Sequence, residues 1–169
     1  GGLVEVQTKV GAGSTFTLFL PASPAAAAVS PPQPPALPQG RGETILVVDD
    51  EAGVLQVTRS ILLGNGYKVV TAREGMQALA RYTEHRHGIS AVVTDIMMPF
   101  MDGLALTTEL RQMNHSLPVV ATTGLTNPPG EPDRTEQLRA LGVAHILSKP
   151  FPAEELLRAL RAALDKNGH

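Results

Sequence analysis

From Glu43 onward the chain switches repeatedly between two hydrophobic periods. Thr44 to Val48 is an unbroken apolar, β-branched run, the pattern of a strand buried on both faces. Gly53 to Leu63 then spaces Val54, Leu55, Ile61 and Leu62 along one helical face and stops at Gly64-Asn65-Gly66. The alternation returns four times: Tyr67 to Thr71 with Glu74 to His85, Ala91 to Thr94 with Leu104 to Met113, Pro118 to Thr122 with Glu136 to Leu141, and Val143 to Leu147 with Glu154 to Leu164. Five βα units of this length predict an α/β domain with a doubly wound parallel sheet and right-handed crossovers.

The segment before Glu43 follows a different pattern. Residues 1 to 20 alternate Val4 and Val6 with Glu5 and Gln7, then Phe16, Leu18 and Leu20 with Thr15 and Thr17, around a glycine turn. That predicts a β-hairpin, too small to be stable alone. Between Pro21 and Pro38 seven prolines and a run of four alanines replace any period. Such a stretch favours an extended, polyproline-like path and reads as a linker. The expected organisation is therefore 1–21 as a hairpin remnant, 22–42 as a Pro/Ala-rich linker and 43–166 as the α/β domain.

Composition narrows the chemistry. Fourteen basic against sixteen acidic residues give a net charge of -2 with no basic block, which argues against a nucleic-acid or membrane-surface binder. The absence of cysteine removes disulfides, thiolate metal sites and cysteine nucleophiles, and fits a reducing, cytoplasmic setting. The chain starts at Gly1, so it is expected to be part of a longer protein, whose remainder could be membrane-associated.

In parallel α/β sheets ligands bind at the carboxyl ends of the strands. The expected strands end in Asp49-Asp50-Glu51, Asp95, Thr123-Gly124 and Lys149-Pro150. Singly, these read as helix caps, turn residues or a surface lysine. Together they fit phosphoryl transfer to a carboxylate. Asp49, Asp50 and Asp95 form an oxygen-rich cluster suited to Mg²⁺, Asp95 is the candidate nucleophile, and Lys149 and Thr123 would hold the transferred oxygens.

Ile45-Leu46-Val47-Val48-Asp49-Asp50-Glu51, Thr94-Asp95-Ile96-Met97-Met98-Pro99, Met101-Asp102-Gly103, Pro118 to Gly124 and Lys149-Pro150-Phe151 together resemble a CheY-like response-regulator receiver domain over about residues 43 to 166. The resemblance implies a flavodoxin-like strand order 2-1-3-4-5. It implies that Asp95 accepts phosphate from a phosphohistidine, and that Asp49 or Asp50, Asp95 and the Met97 carbonyl hold Mg²⁺. It further implies that Lys149 contacts the phosphoryl group, that the bond before Pro150 is cis, and that Thr123 moves toward the phosphate as the switch. Gly1 to Val6, Gly11 to Phe16 and Leu20-Pro21 resemble the last glycine box of a histidine-kinase ATP-binding domain. The parent then resembles a hybrid sensor histidine kinase, although this segment lacks the other nucleotide motifs and the histidine box.

Three departures from the family pattern carry expectations. Ile146 stands where the family has Tyr or Phe, so output is expected to be muted or different. Asn127 to Pro132 lengthens the interval before the fourth helix and should delay its start. Met97 and Leu125 flank the path of a hydrolytic water without orienting it, which predicts slow self-dephosphorylation. His85 and His87 have the wrong spacing for a shared helical face, and His115, His145 and His169 are isolated. Expected partners are a phosphohistidine-bearing kinase domain or a histidine phosphotransfer protein, with a homodimer through the fourth and fifth helices left open. Two alternatives remain. A phosphate-independent receiver-like binding module is kept open by Ile146, whereas an aspartate-nucleophile phosphatase would need an acid where Met97 stands.

Overall fold

Val92 and Val93 are neighbours in one strand yet enter different hydrophobic cores, and this alternation organises the molecule. The computed structural model describes residues 2–11, 13–21, 37–85, 88–124 and 133–166. Contacts divide the chain into two compact units, residues 1–36 and 37–169.

The second unit runs β3 (Thr44–Val48), α1 (Ala52–Gly64), β4 (Lys68–Ala72), α2 (Gly75–Glu84), β5 (Ile89–Asp95), α3 (Gly103–Met113), β6 (Val119–Thr123), α4 (Arg134–Ala140), β7 (His145–Ser148) and α5 (Ala153–Lys166). Its five strands are all parallel in the order β4-β3-β5-β6-β7, the flavodoxin-like order expected. Leu46, Val48, Val92, Val119 and Ala121 pack on one face with Ala78 and Tyr82 of α2, Leu106 and Leu110 of α3 and Leu138 of α4. Ile45, Val47, Ala91, Val93 and Val120 pack on the other with Leu55 and Leu62 of α1 and Leu156, Leu157 and Leu160 of α5. The strands are therefore buried on both sides, which is why they read as continuous apolar runs.

Residues 37–42, assigned to the linker from composition, lie within the second unit. Leu37 packs against the α1/α5 core, and the Gly40 and Gly42 amides donate to the Asn65 and Gly66 carbonyls at 2.7 and 3.1 Å. Composition reported the prolines but not these contacts. The remainder of the expected linker, residues 22–36, lies outside the described residues, as do His87, Leu125, the Asn127 to Pro132 stretch and His169. The fourth helix starts at Arg134, where Asp133 caps it by accepting the Thr135 amide at 2.8 Å.

In the first unit β1 (Leu3–Lys9) and β2 (Gly13–Phe19) form an antiparallel hairpin pairing Val4 with Leu18 and Val6 with Phe16. Those four side chains share one face and all are exposed. No helix among the described residues is long and apolar enough to cross a membrane.

Gly103 opens α3 directly beneath the end of β5. Its amide donates to the Ile96 carbonyl at 2.9 Å, and a Cβ there would collide with the Asp95 carbonyl oxygen and lie 2.9 Å from the Ile96 Cα. Both neighbours are backbone that cannot turn aside. We expect Gly103→Ala to destabilise the domain by about 2 kcal/mol in chemical denaturation, the usual scale of a forced overpacking.

Candidate functional site

Three strand ends bring the site together. Asp49 follows β3, Asp95 closes β5 and Lys149 follows β7, so the open carboxyl edge of the sheet gathers residues up to a hundred positions apart. The Lys149 Nζ donates to Asp49 Oδ2 at 2.7 Å and to Asp95 Oδ2 at 2.8 Å. Both carboxylates are buried, and the Glu51 Oε1 lies 3.7 Å from the same ammonium. The second oxygens are fixed by backbone: the Glu51 amide donates to Asp49 Oδ1 at 3.0 Å and the Met97 amide to Asp95 Oδ1 at 3.2 Å.

Burial raises the Asp49 carboxyl above its ordinary value. The Lys149 hydrogen bond and charge pull it down, the Asp95 charge pushes it up, and burial prevails. Burial also works against the Lys149 ammonium, but the hydrogen bonds and charges of Asp49 and Asp95 outweigh it and hold that pKa above the ordinary lysine value. One lysine thus serves three acids.

Carboxylate oxygens of Asp49, Glu51 and Asp95 lie within 4.8 Å of one another, a spacing that fits one cation. Asp50, named as a metal candidate from sequence, is not in this group. The backbone bends at Asp50, and across that bend the Glu51 amide donates to Asp49 Oδ1. Asp50 instead turns its carbonyl to Arg73, whose Nη2 donates to it at 3.4 Å. The donor set is all hard oxygen, with three carboxylates against one ammonium, so it fits a divalent cation of the Mg²⁺ kind.

Thr123 ends β6 with its hydroxyl donating to the Gly124 carbonyl at 2.9 Å, while its own carbonyl accepts the Lys149 amide at 2.7 Å. The Lys149-Pro150 bond is cis. Ile146 is half-buried against the core shared by α2, α3 and α4. Met97 is 39% exposed at the rim.

Two rim features have no sequence motif. Arg134 reaches from the start of α4 to Asp102 at 3.3 Å and sets its Nη1 3.2 Å from Met97 Sδ. Phe100 is 96% exposed and adopts a left-handed φ of 65°, a strained conformation for a bulky residue.

The chain is similar to known proteins. The family model for the response regulator receiver domain matches residues 45–161. Response regulator MprA of Mycobacterium sp. (strain KMS) is 41% identical over 120 residues, 71% of this chain and 50% of its own. Transcriptional regulatory protein PrrA of Mycobacterium tuberculosis is 37% identical over 124 residues, 73% of this chain and 51% of its own. The chain spans about half the length of these curated relatives. Among solved structures, a response regulator receiver domain protein from Clostridium thermocellum superposes with a TM-score of 0.67 at 30% identity, covering 73% of this chain and 95% of that one. Chemotaxis protein CheY4 of Vibrio cholerae gives a TM-score of 0.64 at 28% identity, covering 73% and 99%. Residues 45–161 take in the whole acidic edge of the sheet, and the chain belongs to the response-regulator receiver domain family.

Proposed function

We propose that the second unit accepts a phosphoryl group onto Asp95 from a phosphohistidine and signals through protein contacts. The observation that carries this reading is the single Lys149 ammonium bridging two buried acids, Asp49 and Asp95, at adjoining strand ends. An Asp95 carboxylate oxygen forms the new P–O bond while the P–N bond of the donor breaks, its electron pair leaving on the imidazole. Lys149 stands ready to pair with the transferred oxygens, and Thr123, one strand away, offers its hydroxyl. Asp49 and Asp95, with Glu51 beside them, would hold Mg²⁺, and the Met97 carbonyl is the further ligand that the family resemblance implies. When bound, Mg²⁺ offsets the acids' charge and polarises the phosphoryl oxygens.

The donor would be a histidine-kinase domain or a histidine phosphotransfer protein in the cytoplasm. The hairpin fits the tail of a kinase ATP-binding domain, giving a hybrid kinase in which the receiver is tethered near its own donor. Its support is the glycine pattern of the hairpin and the exposed apolar face of Val4, Val6, Phe16 and Leu18; the hairpin lies outside the matched region, and the relatives above are response regulators. A receiver-like module that binds partners without phosphate is the second reading. Ile146 favours it, since an aliphatic side chain packed into the core has no ring to follow the Thr123 hydroxyl.

Incubation with acetyl phosphate and Mg²⁺ is expected to add one phosphoryl increment to the intact mass, absent in Asp95→Asn and after chelation. An unmodified wild type, with a phosphohistidine donor failing too, would favour the second reading. The acyl phosphate is expected to outlast minutes, because Met97 at the rim cannot orient a water; decay within seconds would refute this.

The charge imbalance yields a further expectation. A carboxyl whose pKa is raised on folding favours the folded state when protonated, so ionised Asp49 costs stability at neutral pH, and that cost fades as pH falls through its folded pKa. Asp49→Asn should therefore raise the Tm of the metal-free protein at pH 7, with the gain vanishing below about pH 3.8, the ordinary carboxyl value. Mg²⁺ should raise the wild-type Tm and do so much less in the variant.

A further inference from the structure

The chain enters the second unit through a segment that the family match, beginning at residue 45, does not include. Residues 37–42 run beside the turn from α1 into β4, at the amino edge of the sheet, and Asp95 stands at the opposite edge. Leu37 packs into the core beneath α1 and α5. The Gln39 Nε2 donates to Asn65 Oδ1 at 3.0 Å, and the Gly40 and Gly42 amides donate to the carbonyls of Asn65 and Gly66. Gly40 passes so close that a Cβ there would lie 2.7 Å from the Tyr67 Cγ and 2.8 Å from the Gly66 carbonyl oxygen. Glu43 closes the segment by accepting Arg161 Nη1 of α5 at 2.7 Å, with both side chains mostly buried.

Two polar atoms beside these contacts oppose the closure. The Tyr67 Oη and the Arg161 Nε are buried without a hydrogen-bond partner. A buried polar group left unpaired costs more than one ordinary hydrogen bond contributes. Lifting the segment returns both groups to water, so part of what is lost on opening is recovered. One leucine and a few hydrogen bonds therefore hold residues 37–42 against an opposing cost of similar size.

We propose that residues 37–43 form a releasable strap, latched to α5 by Glu43 and Arg161, whose release uncovers the Tyr67 face between α1 and α5. The occupant of that face is this chain's own segment. Everything preceding residue 37 joins the second unit through the strap, so a partner that draws on the preceding chain acts on the strap before it acts on β3. Opening needs no phosphate on Asp95.

Amide hydrogen exchange on the whole chain, read residue by residue by NMR, tests this. In the wild type Gly40 and Gly42 are expected to exchange more slowly than an open chain and faster than Val92 and Val93 of β5. Leu37→Ser should speed both glycine amides about tenfold, the scale of one apolar side chain leaving a core. Glu43→Gln should speed them about threefold by weakening the latch. Tyr67→Phe removes a hydroxyl that has no partner when the strap is closed, so it should slow them by about fivefold. Exchange at the rate of an open chain, exchange in step with Val92 and Val93, or glycine amides unmoved or faster in Tyr67→Phe overturns the proposal.

Discussion

The contact between the Lys149 ammonium and the two buried acids Asp49 and Asp95 is the constraint on which the site depends. Two carboxylates taken out of water at adjoining strand ends repel each other, and a pair left uncompensated there would be strongly destabilising. Lys149 reaches both because β7 ends at the same level as β3 and β5, and that level is set by the parallel register across the sheet. The ion pair therefore ties β3, β5 and the segment after β7 to one another at the carboxyl edge of the sheet. It also leaves the cluster short of positive charge, and that shortage is what suits the edge to a divalent cation.

The rest of the domain serves to hold that edge still. Helices α1 and α5 cover one face of the sheet and α2, α3 and α4 the other, so each strand contributes alternate residues to two separate cores. β5, in the middle, is packed from both sides and delivers Asp95 at its last position. Gly103 lets α3 start against the carbonyl of that same aspartate, bringing Asp102 and the loop from Met97 to Met101 over the site. Packing, turn chemistry and the position of the Asp95 carboxylate are thereby fixed by the same few residues.

Much of this was legible in the sequence because the physical signals were local. Thr44 to Val48 and Ala91 to Thr94 announced buried strands by composition, and Asp49, Asp95, Thr123 and Lys149 were exposed as unusual by standing where such strands end. What was not legible depended on geometry that composition does not carry. Glu51 comes beside Asp49 and Asp95 across a bend at Asp50, and composition does not show which acid such a bend brings in. The 37–42 segment packs despite its linker-like composition because glycine amides reach carbonyls after α1. Arg134 meets Asp102 across thirty-two residues of sequence, with no motif to mark the arginine.

The position of β5 also sets a scale of motion. Its ladder is closed by β3 on one side and β6 on the other, the position from which a strand opens last. The short α4, with Leu138 as its one buried residue, belongs to the other extreme and can rearrange at little cost to the core. Asp95 therefore stands on a strand paired along both edges, and Arg134 on a helix of seven residues.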